Sequence, residues 1–582
     1  MEICAQRQRL LDCQGHALVM GGPGSGKTTI ALKKAVLCIE KGLHPGQSVL
    51  FLSFSRAAVA RVAEASKLEV AKAQRGALSM QTFHSFFWDL LSTHAYLLGA
   101  PKSIRILLPQ DEQALYGSIK KKARNAENPE WVAWLVERER LFREDGRIAF
   151  DLFPPNAAAL LARSAHARRL IAQRYPLIIV DEAQDTNADA WRCIALLAPH
   201  TQLICLADLE QQIFDHLPGI GPERIEAIKA SLHPLEIELG SQNHRSPDSE
   251  IVAFGQDILY GKVRGAPYKG VSSFNYNPKL NDQTKVLRMA LGILQRKIRK
   301  ATGKWGRSIA ILTHSGASAA KISVALNAGL KPVRHKLLFD EAEALLTARF
   351  AAFLLEPKHD FDRLPDLATA LELLADAKRA SGMALAKQWR LWANATRANK
   401  LPRAGFVSAL LDMMDDLRAQ IFTGDPSRDW IRVKKSLRES GNADISQVAK
   451  NLDYLVAFNR GKRISAGLGL IWQRDGQYTR AREALDLVLA QDQILDGADD
   501  PDGLQLMTIH KSKGKQFDGV IVAREGRHDG RNMVSTFVWW GDEAPHHRSR
   551  KILRVAITRA KSHVLMLGPI YPGCPIIGVH TL

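Results

Sequence analysis

The chain has 582 residues, 46% of them hydrophobic and 24% charged, with 80 Lys and Arg against 60 Asp and Glu. Its length predicts several domains, and it holds no apolar run long enough to span a bilayer. The six cysteines form no CxxC pair, which argues against an iron–sulfur cluster, a zinc ribbon or a disulfide framework. We therefore expect a cytoplasmic protein with no membrane partner and no signal peptide. Its net charge of +20 favours nucleic acid as a partner.

The first chemical motif follows the apolar run "HALVM" and precedes the helical pattern "KTTIALKKAVLCIE". It fits G-x-x-x-x-G-K-[ST], and a strand before it and a helix after it let backbone N–H groups face phosphates. Lys27 is predicted to reach the β- and γ-phosphates, and the hydroxyl of Thr28 is predicted to bind Mg²⁺. The predicted phosphate-binding residues are Gly21, Gly22, Pro23, Gly24, Ser25, Gly26, Lys27, Thr28 and Thr29.

The second half of the predicted site is "YPLIIVDEAQDTN", in which an apolar run ends at two acids. The run Leu177–Val180 is typical of a strand buried on both faces, and ligands bind beyond the carboxyl ends of such strands. Asp181 is predicted to hold Mg²⁺ through water, and Glu182 to orient and deprotonate the attacking water. Together the two motifs predict a protein that hydrolyses a nucleotide.

The sequence Asp181-Glu182-Ala183-Gln184, extended by Asp185-Thr186, resembles the superfamily 1 DNA helicases of the UvrD/Rep/PcrA family. Similar motifs follow the family's order in "FLSFSRAAVARV", "MQTFHSFFWDLL", "LICLADLEQQIF", "LGSQNHRSPDSE", "GLQLMTIHKSKGKQFDGVIV" and "LRVAITRAKSHVLML". The resemblance therefore spans nearly the whole chain. It implies ATP and Mg²⁺ as cofactors and movement along single-stranded DNA from 3′ to 5′.

The resemblance also implies further residues at the ATP site. Gln6 is expected to recognise adenine, and His244 stands where the family has a tyrosine that stacks on the base. Two arginines are expected to face the γ-phosphate, a contribution worth on the order of 10³–10⁵ in rate. The implied set is Gln6, Gln211, His244, Arg245, Gly514 and Arg559.

Other motif residues are implied to touch the DNA strand. At one of them the chain departs from the family, because it reads Phe214-Asp215-His216 where the family has a large aromatic. Stacking on such an aromatic is worth roughly 1–3 kcal/mol per base. The implied DNA contacts are Phe54, Thr82, Phe83, His84, His216, Thr508 and His510.

Strand-like runs alternate with helical patterns in two parts of the chain, which predicts the α/β class. By resemblance, we expect two RecA-like P-loop motor domains with parallel sheets, each interrupted by a mainly helical insertion. The predicted boundaries are 1–91 and 166–245 for the first motor, 92–165 for its insertion, 246–356 and 501–582 for the second motor, and 357–500 for its insertion.

The second insertion contains "AKQWRLWANATRANKLPR", which mixes basic residues with two tryptophans. Such a helix could hold duplex phosphates on a basic face. It could equally present a solvated charged face over a core that contains the tryptophans.

The function that these patterns favour is an ATP-dependent 3′-to-5′ helicase or translocase acting on single strands and on single/double-strand junctions. The alternative is an ATP-switched nucleic-acid sensor, or a regulatory subunit of a larger complex that contains a nuclease. Repair, replication, recombination and phage defence all remain possible settings, and a nuclease is a possible protein partner.

Overall fold

The computed structural model divides into two compact units. One comprises Met1–Leu91, Pro154–Phe339 and Asp496–Leu582, and the other comprises Ser92–Phe153 and Asp340–Leu495. The structure describes residues 3–577 apart from 55, 117–118, 120–122, 209–222, 241–247, 263, 265, 329–331, 339–341, 360, 379–382, 454–460, 495–501 and 531.

The strands are short and mostly apolar, as expected of strands buried on both faces. In chain order they are β1 (Ala17–Met20), β2 (Val49–Ser53), β3 (Leu78–Thr82), β4 (Arg105–Leu107), β5 (Arg147–Ala149), β6 (Leu177–Val180), β7 (Gln202–Ala207), β8 (Leu235–Glu238), β9 (Val271–Tyr276), β10 (Ser308–Thr313), β11 (Lys336–Leu337), β12 (Gly503–Thr508), β13 (Phe517–Ala523), β14 (Gly526–Asp529), β15 (Asn532–Ser535) and β16 (Ala560–Pro569).

The helices cover the sheets and form most of the second unit. In chain order they are α1 (Ala5–Asp12), α2 (Lys27–Glu40), α3 (Arg56–Glu69), α4 (Phe83–His94), α5 (Pro109–Tyr116), α6 (Pro129–Arg143), α7 (Phe153–Arg163), α8 (Ala165–Arg174), α9 (Ala188–Ala195), α10 (Glu223–Leu232), α11 (Ile251–Tyr260), α12 (Gln283–Thr302), α13 (Gly316–Asn327), α14 (Ala342–Leu355), α15 (Leu364–Lys378), α16 (Met383–Arg397), α17 (Gly405–Arg418), α18 (Pro426–Glu439), α19 (Ala443–Asp453), α20 (Gly461–Asp475), α21 (Ala481–Ile494) and α22 (His547–Ile557).

The first unit contains two parallel sheets. Their strand orders are β3-β2-β6-β7-β1-β8 and β11-β12-β10-β13-β16-β9, and every pairing within them is parallel. Each sheet packs into its own hydrophobic core. The α/β class with parallel sheets is thereby confirmed. Because all strands in a sheet run the same way, the loops after their carboxyl ends gather at one edge, where ligands bind.

The second unit is mainly helical and is built from two parts of the chain that are distant in sequence. Arg349 of α14 joins them, because its guanidinium pairs with Asp111 of α5 and with Asp486 of α21, the latter at 2.8 Å. Leu108, next to α5, shares a hydrophobic core with α14, α15 and the helices that follow. The two helical segments therefore fold as one body.

The tryptophan-rich stretch lies on α16, and its tryptophans belong to the core. Trp389 is 3% exposed, and its ring stacks on Phe406 with 4.8 Å between centroids. Two basic residues of the same helix pair with acids of α15: Arg390 with Asp376 and Arg397 with Glu372. The structure thus favours a charged face over a tryptophan-containing core.

Among the described residues, no helix is both long enough and apolar enough to cross a membrane.

Candidate active site

The loop between β1 and α2 has the backbone form of a phosphate cradle. Gly24 and Gly26 have φ angles of 82° and 86°, in the left-handed region that glycine enters without steric cost. Ile30 N–H donates to the Gly26 carbonyl at 3.0 Å, so the N–H groups of Lys27, Thr28 and Thr29 precede the first hydrogen bond of the helix. A helix start with such amides is a site for an anion.

Lys27 lies folded over this loop. Its Nζ donates to the carbonyls of Gly21 and Gly22, the latter at 3.0 Å, and lies 3.8 Å from Oδ2 of Asp208. Carbonyl oxygens are weaker partners for an ammonium than phosphate oxygens are. The side chain is therefore placed to exchange these carbonyls for a phosphate.

Arg7 supports the loop, a role that the motifs did not predict. It is 5% exposed and donates from Nη2 to the Ser25 carbonyl at 3.1 Å. The neighbouring Gln6, predicted to read adenine, is exposed on α1, where its Oε1 accepts a hydrogen bond from Arg9 at 3.0 Å. Both residues thus lie on the helix that precedes the phosphate loop, but no local pattern marks Arg7.

The predicted acids lie at the same edge of the first sheet. Asp181 directly follows β6 and Asp208 directly follows β7, which lies between β6 and β1 in the sheet. Both side chains are buried, at 7% and 4% exposure, and Asp181 Oδ2 accepts a hydrogen bond from the Ser53 hydroxyl at 3.3 Å. The parallel order of the strands is what brings the two acids next to the phosphate loop.

Glu182 adopts a left-handed backbone conformation, with φ 55° and ψ 40°. This conformation is uncommon for a residue other than glycine and recurs at functional sites. Gln184, which is fully buried, donates to Glu182 Oε2 at 2.6 Å and accepts from the N–H of Asp208 at 3.1 Å. The amide of Gln184 therefore orients the Glu182 carboxylate and ties it to the next strand.

The second sheet contributes cations to the same site. Lys513, in the turn after β12, forms an ion pair with Asp185, which lies 328 residues earlier in the chain. Their side chains are 8% and 1% exposed, respectively. Gly514, predicted to contact the nucleotide, follows Lys513 with a φ of 81°.

Arg559 lies between α22 and β16 and is 1% exposed. Its Nε donates to the Val555 carbonyl at 3.0 Å, and its Nη1 to the Lys515 carbonyl at 3.5 Å. Its charge also lowers the pKa of Glu182. Arg559 and Glu182 thus act on each other electrostatically although they come from different sheets.

The charges of this cluster set opposite pKa shifts on its two central acids. Burial raises the pKa of Glu182, but Lys513, Lys27, the Gln184 amide and Arg559 outweigh burial and leave the pKa below its usual range. Burial raises the pKa of Asp185, and the nearby charge of Glu182 adds to the rise against the opposing effect of Lys513. Glu182 is therefore the carboxylate that stays charged and can accept a proton.

The donor set fits Mg²⁺ bound together with a nucleotide. Thr28 offers a hydroxyl in the first turn of α2, and Asp181 offers a buried carboxylate at the same edge of the sheet. Within the described ranges, no group of three or more His, Cys, Asp or Glu side chains could hold a metal alone. Mg²⁺ usually binds one or two protein oxygens together with phosphates and water.

The DNA contacts predicted in the first sheet cluster around two aromatic rings. Phe54, directly after β2, is half-buried, and its ring centroid lies 4.6 Å from that of Phe83. Phe83 is 2% exposed, so the half-buried ring of Phe54 packs against a buried one. The Thr82 hydroxyl accepts the N–H of Ser85 at 3.1 Å at the start of α4, and His84 beside it is half-buried.

Two DNA contacts predicted in the second sheet lie at its carboxyl edge. Thr508 is the last residue of β12, and its hydroxyl accepts the N–H of Lys511 at 3.4 Å. His510 begins the next turn, with its ring 5.0 Å from that of Trp539. Sequence reasoning assigned no role to Trp539, because it lies outside every motif.

Four predicted site residues lie outside the residues that the structure describes. They are Gln211, His216, His244 and Arg245.

A phosphate loop, buried acids at the ends of parallel strands and cations from a second parallel sheet define a P-loop protein whose site is built from two sheets. The family model of the UvrD/REP helicase N-terminal domain matches residues 4–132 and 112–219.

Curated relatives match most of the chain. YjcD of Bacillus subtilis (strain 168) is 23% identical over 98% of this chain and 78% of its own length. DNA helicase II of Salmonella typhimurium is 20% identical over 95% of this chain and 82% of its own length. ATP-dependent DNA helicase PcrA of Staphylococcus aureus is 21% identical over 96% of this chain and 81% of its own length. These matches confirm the resemblance that the motifs indicated, and the chain is UvrD-like.

Proposed function

We propose that this chain is an ATP-dependent DNA helicase that moves from 3′ to 5′ along single-stranded DNA. The observation that carries the proposal is that the positive charges around Glu182 come from both parallel sheets. Lys27 comes from the first sheet, whereas Lys513 and Arg559 come from the second. The names of the relatives, DNA helicase II and PcrA, support the same activity.

Each group has a distinct part in hydrolysis. Lys27 and the amides at the start of α2 bind the phosphates, and Thr28 and Asp181 hold Mg²⁺, which neutralises phosphate charge. Glu182, oriented by Gln184, accepts a proton from the attacking water. Arg559 stabilises the negative charge that develops on the transferred phosphoryl group.

A site shared by two sheets couples hydrolysis to movement. Cations of the second sheet are attracted to the phosphates only while those phosphates remain in the loop of the first sheet. Turnover therefore changes how strongly the two sheets are held together. Phe54 and His84 on the first sheet, and Thr508 and His510 on the second, would hold successive parts of the strand. We also propose that the protein acts in the cytoplasm and that a nuclease is among its protein partners.

The test is strand displacement from duplexes with either a 3′ or a 5′ single-stranded tail. We expect ATP-dependent displacement from the 3′-tailed duplex alone, and none by Lys27→Ala, because that variant lacks the phosphate-binding ammonium. Displacement from the 5′-tailed duplex alone would contradict the polarity. Brisk ATP hydrolysis without displacement of any strand or of a protein block on the track would favour an ATP-switched sensor instead.

Binding of single-stranded DNA should weaken steeply with salt, because lysines and arginines that meet phosphates release counterions. A chain with a net charge of +20 should make several such contacts. Three of them would lower the affinity about 20-fold between ~50 and ~200 mM salt. Fluorescence anisotropy with oligo(dT) and with a mixed-sequence strand measures this slope. Affinity that is independent of salt, or a strong preference for one sequence, would contradict a translocase.

A further inference from the structure

Two adjacent tryptophans, Trp539 and Trp540, lie outside every motif and are here called the tryptophan pair. They follow the antiparallel hairpin of β14 and β15. Trp539 is half-buried, and Trp540 is 56% exposed. A tryptophan that leaves most of its surface in water contributes little to core packing and offers its ring to a ligand.

The topology places the tryptophan pair at the carboxyl edge of the second sheet. Strands β12, β10 and β13 are neighbours and run parallel. His510 follows the first of them, His314 the second, and the hairpin that carries Arg527 the third. This is the edge where open α/β sheets bind ligands, and it also carries Thr508, a predicted DNA contact.

Trp539 is held in place by three side chains. Its ring centroid lies 4.5 Å from that of His314 and 5.0 Å from that of His510, and the guanidinium carbon of Arg548 lies 5.0 Å from its ring centroid. Burial, together with Arg527 and His510, lowers the pKa of His314 to about 4, so this imidazole is neutral. Trp539 is therefore a fixed base for the exposed ring beside it.

Trp540 carries a guanidinium on its ring. The guanidinium carbon of Arg527 lies 3.7 Å from the ring centroid, a close cation–π contact. Arg527 also donates to the Val538 carbonyl at 3.1 Å and lies 3.6 Å from Asp529, while its buried Nε has no hydrogen-bond partner among the residues that the structure describes. The exposed indole of Trp540 thus presents an aromatic surface beside the guanidinium of Arg527.

We propose that Trp540, supported by Trp539 and by the arginines beside the pair, stacks on a base of single-stranded DNA. Aromatic rings in a basic groove bind single strands without sequence preference, because every base has a π-face. The inference rests on the proposed function, since it requires a strand that crosses this edge beside Thr508 and His510. It would supply a stacking residue on the second sheet, independently of His216.

The chain offers a matched control for Trp540. Trp305 is 54% exposed and has the guanidinium carbon of Arg299 at 4.8 Å from its ring centroid. It precedes β10 and therefore lies at the amino edge of the same sheet. The two tryptophans share exposure and an arginine partner, and they differ in the edge that they occupy.

The experiment compares Trp540→Ala, Trp540→Phe and Trp305→Ala for binding of fluorescent oligo(dT) by anisotropy, with thermal melting to check the fold. Trp540→Ala should weaken binding about 5- to 150-fold, which is the loss of one base stack. Trp540→Phe should recover most of that loss, and Trp305→Ala should bind like the wild type. The salt slope should be unchanged in Trp540→Ala, because stacking releases no counterions.

The possible failures are distinguishable. If the wild type binds oligo(dT) and both alanine variants bind it as tightly as the wild type does, the stacking role is wrong while the helicase proposal stands. A reduced salt slope in Trp540→Ala would show that the variant lost phosphate contacts instead of a stack, which also overturns the inference. If the wild type does not bind single strands at all, the proposed function itself fails.

Discussion

Arg559→Ala should lower the rate of DNA-stimulated ATP hydrolysis by about 10³-fold or more, because it removes the cation of the second sheet that faces the transferred phosphoryl group. The phosphate loop, Thr28 and Asp181 are unchanged by this substitution, so nucleotide and DNA should still bind. Strand displacement should be lost together with hydrolysis. Arg559→Lys should remain well below the wild type, because an ammonium lacks the planar fork of the guanidinium.

A control on the helix that precedes Arg559 separates this role from packing. Arg550 of α22 also donates to backbone carbonyls, those of Pro545 at 2.7 Å and Ile258 at 2.8 Å, but it belongs to the first turn of the helix. Arg550→Ala should therefore keep its turnover even if it melts at a lower temperature. Retention of near-wild-type hydrolysis by a folded Arg559→Ala variant would remove Arg559 from the site.

Glu182→Gln should bind ATP and turn it over about 10²- to 10⁴-fold more slowly, because the amide cannot accept a proton from water. The substitution keeps the shape of the side chain and leaves Lys27 over its loop. Binding measured with a fluorescent ATP analogue, beside single-turnover hydrolysis, separates the two effects. Tight binding with unchanged turnover would contradict the assignment of Glu182 as the base.

The matched control for this variant is Glu236→Gln. Glu236 lies on β8 of the same sheet, is exposed, and pairs with Lys229 at 2.9 Å. A solvent-exposed ion pair of this kind contributes little to stability, so its loss should change neither binding nor turnover. An equal effect in both variants would indicate a general loss of stability.

The sequence by itself determined the chemistry that depends on local pattern. The phosphate loop needs glycines and a lysine at fixed spacing between a strand and a helix. The two acids, Asp181 and Glu182, are recognisable because they directly follow an apolar run. Lys27, Asp181 and Glu182 could therefore be placed at one sheet edge before the fold was known, and the α/β class followed from the same alternation of strands and helices.

Only the tertiary structure decided the contacts between residues that no spacing relates. The ion pair of Lys513 with Asp185 joins residues 328 positions apart, and Arg349 joins two helical segments that the chain separates. On α16 the sequence allowed two readings, and the acids of the neighbouring helix decided between them. Trp540 belongs to none of the sequence motifs. It gained its position because parallel strands bring their carboxyl ends to one edge, whatever their distance along the chain.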